Sequence, residues 1–311
     1  MKIIEFVKTT LVGVSQIFLQ ENGLTGLFIV IGMFFSHWAL GVSCILGSLL
    51  GTLTAILLKF KQENIKSGLY GFNASLAFMC AIFTFGLVQN ANTDAYSFVV
   101  WFIGGFSAII ATIIMHLFIK KGKVAYTFPF VVTCWFSCYL LSNLNFLGLE
   151  QTTPMLASHT STIEAIKSPF FGWAEVNFGG SFITGIFIFL GIAIANVSTA
   201  MWATTAAING SLFAFYILGI DDNALANGIY SFSPILVACA FVGEKFRNFV
   251  YVLFGTLLAV LIQFAVSNIT IVSNDGWAAY TFGFILASWI ILLFKTDKEL
   301  TLKRIKYLLN P

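Results

Sequence analysis

Three phrases in this chain occur twice at nearly one interval, in sequence too apolar for a water-facing surface. TGLFIVIG at 25–32 returns as TGIFIFLG at 184–191, GLYGFNASL at 68–76 as GIYSFSPIL at 228–236, and AYTFPF at 125–130 as AYTFGF at 279–284. The intervals are 159, 160 and 154 residues, so one half of the chain is a diverged copy of the other. In a hydrophobic chain such a duplication points to a membrane transport fold whose pathway lies where the halves meet.

Composition settles the medium. The chain is 59% hydrophobic and 9% charged, with a mean hydropathy of +0.92, whereas a soluble domain carries roughly 25% charged residues. Its apolar runs exceed the roughly 20 residues that cross a bilayer, so the expected class is an all-α integral membrane protein. Apolar segments fall at 24–58 (two helices, broken near Ser36–Leu40), 68–88, 96–119 and 124–147. They resume at 182–218 (again two, broken near Asn196–Thr205), 226–243, 247–271 and 277–294. That pattern predicts five crossings per half. The expected units are a first membrane repeat over 1–150, an outer connecting loop over 151–172, a second repeat over 173–294 and a basic cytoplasmic tail over 295–311. Met1–Leu19 faintly resembles a signal peptide, but Glu5 and the lack of a small-x-small site before Gln20 read as a retained segment.

Charge tests the parity. With the N-terminus inside, segments 1–10, 59–67, 120–123, 196–204, 244–248 and 295–311 hold fifteen of the 16 Lys and Arg residues, and the outer segments hold only Lys167. This positive-inside bias predicts that both termini are cytoplasmic. An odd number of crossings per half then makes the repeat inverted, with a pore at the repeat interface. The Gly-containing phrases GLYGFNASL and GIYSFSPIL read as re-entrant half-helices, because freed backbone is tolerated at membrane depth only under cover of protein or a cavity.

Few polar groups remain in the apolar region. Glu175 pairs by the repeat with Gln16, and an ionisable group at membrane depth faces a pathway or a partner; interfacial solvation is the other reading. Asp221 and Asp222 fall on an outer connection, and His37 and His116 read as structural. Thr127 and Thr281 are repeat-mates, each following a Tyr and preceding a helix-perturbing position, Pro129 or Gly283. A Pro inside a helix leaves a carbonyl free, and hydroxyls beside such carbonyls are acceptors for a polar track. Phe72 pairs with Phe232 and Leu76 with Leu236, so an in-membrane two-fold would set them across one narrow slot. The five cysteines lie in apolar runs with no His or carboxylate beside them, which predicts packing and no metal site. No Walker loop, dinucleotide fingerprint, HExxH or GxSxG occurs, so no ATP-driven pump, hydrolase or cofactor enzyme is expected. The basic residues lie on the inner face and form no nucleic-acid surface.

GLYGFNASL, AYTFPF, and Gln16 upstream of Asn22 and Thr25-Gly26 resemble the urea transporter family over nearly the whole chain, the first half more than the second. The resemblance, to its bacterial channel-like members, implies passive conduction of urea across the inner membrane by a homotrimer with one pore per subunit. It implies five helices plus a tilted re-entrant helix per half. It also implies a slot of Phe72, Leu76, Phe178, Phe232 and Leu236, central threonines Thr127 and Thr281, and mouth residues Gln16, Glu175 and Val176. Urea is flat, neutral and rich in N–H donors, so it can pass edge-on between aromatic faces along a row of acceptors. Leu19 where Phe178 has its mate, SFSP in the second signature and Gly283 for Pro129 depart from the pattern. One side of the filter is therefore expected to be wider or differently polar, leaving related small amides, ammonia or water as further solutes. The competing expectation is a proton- or sodium-coupled secondary transporter using Glu175 and Asp222.

Overall fold

A computed structural model of the protein describes residues 2–86, 98–143, 162–269 and 278–295, with side chains at all of these except 141–143 and 162–167. The described residues form helices and no strand. The first half holds α1 (Ile3–Ser15), a 3-10 turn (Gln16–Phe18), α2 (Gly23–Ser36), α3 (Trp38–Leu57), α4 (Gln62–Lys66), α5 (Phe72–Gly86), α6 (Phe98–Lys120) and α7 (Phe128–Asn143). The second holds α8 (Thr162–Glu175), α9 (Phe182–Ala195), α10 (Val197–Leu218), α11 (Asp222–Ala226), α12 (Phe232–Phe241), α13 (Phe246–Ser267) and α14 (Phe282–Phe294). Each helix of the first half has its counterpart, in the same order, in the second.

The correspondence reaches individual backbone angles. Left-handed φ values recur at repeat-mates: 59° at Leu19 and 64° at Phe178, 75° at Gly68 and 77° at Gly228, 49° at Tyr126 and 44° at Tyr280. Four of these six residues are not glycine, and each such conformation costs of order 1–3 kcal/mol unless the surroundings impose it.

Helix breaks fall where a polar residue can cap. His37 is extended, and its Nδ1 accepts from Ala39 N at 3.1 Å; Asn196 does the same for Thr199 N at 2.9 Å. Each break lies within the stretch where the apolar pattern placed it. Helices α3, α6, α10 and α13 are each long and apolar enough to cross a bilayer, and α1 meets α2 at 76°.

Two helices begin where the sequence pattern showed none. The N-terminal segment is helix α1, which packs on α2, α3 and α5. Helix α8 starts at Thr162, inside the stretch read as an outer connection. Polar residues at its start hide it, while Phe171, Trp173 and Ala174 near its end are buried. Segments 89–95, 151–161 and 296–311 lie outside the described residues.

The halves meet along α2 and α9. Thr25 Oγ1 donates to Gly191 O at 2.7 Å, and its repeat-mate Thr184 donates to Gly32 O at 2.7 Å. The doubled phrase that begins with Thr and ends with Gly thus binds its own copy in both directions. Gly32 and Gly191 allow this approach, since a Cβ on either would lie 3.0 or 2.9 Å from Phe187 or Phe28.

Candidate functional site: a polar doublet between the halves

The second crossing of the halves is at the AYTF phrases. Trp135 Nε1 donates to Ala278 O at 2.9 Å, and its mate Trp289 donates to Val124 O at 2.9 Å. Tyr280 packs edge-on to Phe130 at 5.4 Å, and Tyr126 to Phe284 at 5.0 Å. Between these reciprocal contacts the hydroxyls of Thr127 and Thr281 lie 2.6 Å apart, both buried. Each threonine caps a helix by position, with Thr127 O accepting from Val131 N at 3.2 Å and Thr281 O from Ile285 N at 3.1 Å. Left-handed Tyr126 and Tyr280 turn the chain sharply just before each cap.

Pro129 does not act as the sequence suggested. Because α7 starts at Phe128, Pro129 sits in its first turn, where backbone amides have no helical acceptor in any case. It frees no carbonyl. Gly283 answers a different need: a Cβ there would lie 2.5 Å from Ala259 O, so α14 can pack on α13 only without a side chain.

Phe178 joins this centre, with ring centroids 5.9 Å from Phe130, 6.1 Å from Tyr280 and 5.1 Å from Phe83. Phe72 and Phe232 open α5 and α12, and Leu76 and Leu236 follow one turn later; all four are buried. Neither Phe72 nor Phe232 pairs with another ring among the described residues, and both pack within the apolar core. Gln16 is buried and its Nε2 donates to Ser67 O at 2.7 Å, while no described bond uses its Oε1. Val176 is buried. Glu175 is partly exposed, and no described hydrogen bond or ion pair engages its carboxylate.

Other expected positions lie apart from this centre. Asp221 Oδ1 caps α11 through Ala224 N at 2.9 Å. His116 stacks on Phe60 at 3.5 Å and meets Tyr70 OH through Nδ1 at 3.0 Å, as a structural histidine would. Cys80 and Cys138, by contrast, border the centre, flanking Tyr280 OH at 3.3 and 3.5 Å.

Three amide side chains escaped the sequence reading. Asn73 contacts the AYTFPF turn, Gln263 links α13 to α12, and Asn177 is buried with both amide atoms unpartnered. Their common signal was an amide in an apolar run, where an unmet polar group is costly.

Apolar helices in two matched sets, with a hydroxyl doublet buried where the sets meet, define a multi-pass helical membrane protein. The chain belongs to the urea transporter family, since the family model described as Urea transporter matches residues 7–296. Members of this family are transporters, not enzymes. The chain is 24% identical to urea transporter 1 of Rattus norvegicus, over 95% of this chain and 78% of that protein. It is 23% identical to urea transporter 1 of Ovis aries and of Mus musculus, over 94% of this chain and 78% of each.

Proposed function

We propose that this protein is a passive, channel-like facilitator of urea diffusion whose path runs between the two halves of an inverted repeat. The Thr127–Thr281 doublet carries this reading: a buried hydroxyl pair beside the flat ring of Phe178, contributed equally by both halves. Gln16 and Glu175 add uncommitted acceptor oxygens, and Val176 follows Glu175 in the chain. A urea N–H that loses water can be met in turn at each of these sites. Several weak sites in series permit release as well as entry. Phe72 with Leu76, and Phe232 with Leu236, would wall the slot.

The bonds exchanged by Thr25 and Thr184, and by Trp135 and Trp289, are what a two-fold relation between the halves would produce. The Lys and Arg distribution supports an axis in the membrane plane, with both termini cytoplasmic. Helix α12, of 10 residues, falls short of the roughly 20 needed to span, which favours a re-entrant half-helix there and, by the repeat, at α5. The working unit is a homotrimer in a bacterial inner membrane, one pore per subunit. Related small amides, ammonia or water are the further candidate solutes. A coupled mechanism would need Glu175 to bind and release an ion. Asp222, its suggested partner, sits in the first turn of α11.

Stopped-flow flux in proteoliposomes tests the reading. Urea should equilibrate without accumulating when a pH or sodium step is imposed, and acetamide should move more slowly. Accumulation driven by either step would overturn passive conduction. Phe232→Ala should lower the urea-to-acetamide ratio, and an unchanged ratio would remove Phe232 from the slot.

A further inference from the structure

A threonine at a helix N-cap ordinarily turns its side-chain oxygen onto the backbone N–H of the second or third helical residue. Thr127 caps α7, yet its hydroxyl lies 2.6 Å from Thr281 across the doublet. Both capping donors are removed from it. The second helical residue is Pro129, which has no N–H. The third is Phe130, whose N–H donates to Asn73 Oδ1 at 3.0 Å. Asn73 Nδ2 in turn donates to Tyr126 O at 3.1 Å, so one fully buried amide on α5 grips the chain on both sides of Thr127. The second half lacks this grip. Asn73's mate is Ser233, which donates to Gln263 Oε1 at 2.8 Å, and Gln263 Nε2 donates to Ile229 O at 2.6 Å. Gln263 stands where the first half has Met115, which lies 3.6 Å from Asn73 Nδ2. The polar group has thus changed helices between the halves, and its bonds no longer reach the helix start.

We infer that Asn73 is a positioning residue of the pore: by capping α7 in place of Thr127, it frees the Thr127 hydroxyl for the solute. This rests on the reading of Thr127 as part of the path. Thr281 makes no side-chain cap bond either, but Gly283 and Phe284 keep N–H groups to which its hydroxyl can turn, whereas Thr127 has no such alternative.

The test is urea conductance per folded protein in proteoliposomes, with thermal stability measured alongside. Thr127→Val should lower conductance about tenfold. Asn73→Ser, which shortens the side chain to that of its mate, should lower it at least fivefold, and Asn73→Asp, which keeps the acceptor for Phe130 N–H, should stay within about twofold of wild type. In the Thr127→Val background Asn73→Ser should have no further effect, because the two act through one hydroxyl. Asn73→Ser with Met115→Gln rebuilds the serine–glutamine pair of the second half. It should recover stability but not conductance, and it serves the test even if Asn73→Ser alone does not assemble. Multiplying losses in the double variant, or conductance restored together with stability, would overturn the inference and make Asn73 a packing residue. If Thr127→Val conducts like wild type, the threonine has no part in the path and the pore reading itself fails. If Thr127→Val is slow while Asn73→Ser is fast, only the role of Asn73 fails.

Discussion

The turn after Gln16 and the turn after Glu175 share one backbone and have two kinds of support. Leu19 N donates to Gln16 O and Phe178 N to Glu175 O, both at 3.0 Å, with Leu19 and Phe178 in the same left-handed conformation. In the first half Ser15 Oγ donates to Gln20 O at 2.6 Å and accepts from Asn22 N at 3.2 Å, while Asn22 Oδ1 caps α2 through Leu24 and Thr25. In the second half those positions are Ala174 and Ser181, and Ser181 makes no side-chain cap bond. Asn177, where the first half has buried Phe18, leaves both amide atoms unpartnered. The shared backbone is therefore set by how the helices pack, and the side-chain bonds are a separate layer that one half has kept. On the proposed reading of a path lined by both halves this difference matters, since the first turn is tied down by side chains and the second rests on backbone bonds.

The largest expected effect is at the helix starts. Gly283→Ala puts a Cβ 2.5 Å from Ala259 O and 3.1 Å from Gln263 Cβ, so α14 must leave its place on α13. Overpacking against backbone should cost about 3 kcal/mol. Pro129→Ala should cost only about 0.5–1 kcal/mol, through the unfolded chain. Denaturant unfolding in detergent measures both, and equal costs would mean the two helix starts are equally constrained. Ser15→Ala comes next: losing its bonds at Gln20 and Asn22 should destabilise by about 1–2 kcal/mol. Asn177→Leu should do the reverse, because removing a buried amide that meets no partner relieves about 1 kcal/mol. A loss of stability there would show that the second turn has a polar partner after all, and would narrow the difference between the two turns.

The duplication, the helical class and the capped breaks at His37 and Asn196 were legible in the sequence because each is written in local residues. So was the pairing of Thr127 with Thr281, since repeat-mates related by an axis can meet on it. The meaning of Pro129 and Gly283 was not legible. Both looked like kinks, but one sits in a first turn and the other answers the approach of α13, and neither can be known without the neighbour. Asn73 was hidden for the same reason: its partners Tyr126 and Phe130 lie more than fifty residues on. Helix α8 was missed because a polar start outweighed its buried last turn.

The smallest expected effect bears most directly on mechanism. Gln16 and Glu175 are repeat-mates in matched turns, but Gln16 can donate to Ser67 O and still present an oxygen, while Glu175 has no described partner. In Glu175→Gln the new amide gains a donor for the carbonyl equivalent to that of Ser67, which belongs to Asn227, and keeps an acceptor oxygen for the solute. If the second mouth needs only an acceptor, urea flux should stay within about twofold of wild type and remain indifferent to a sodium or pH step, as a loss that small is under 0.5 kcal/mol. If the mouth needs a carboxylate that takes up and releases an ion, flux should fall by more than tenfold and lose any response to that ion. The first outcome makes the two proposed mouths chemically alike despite their different supports; the second makes Glu175 a functional asymmetry that the duplication did not carry over from Gln16.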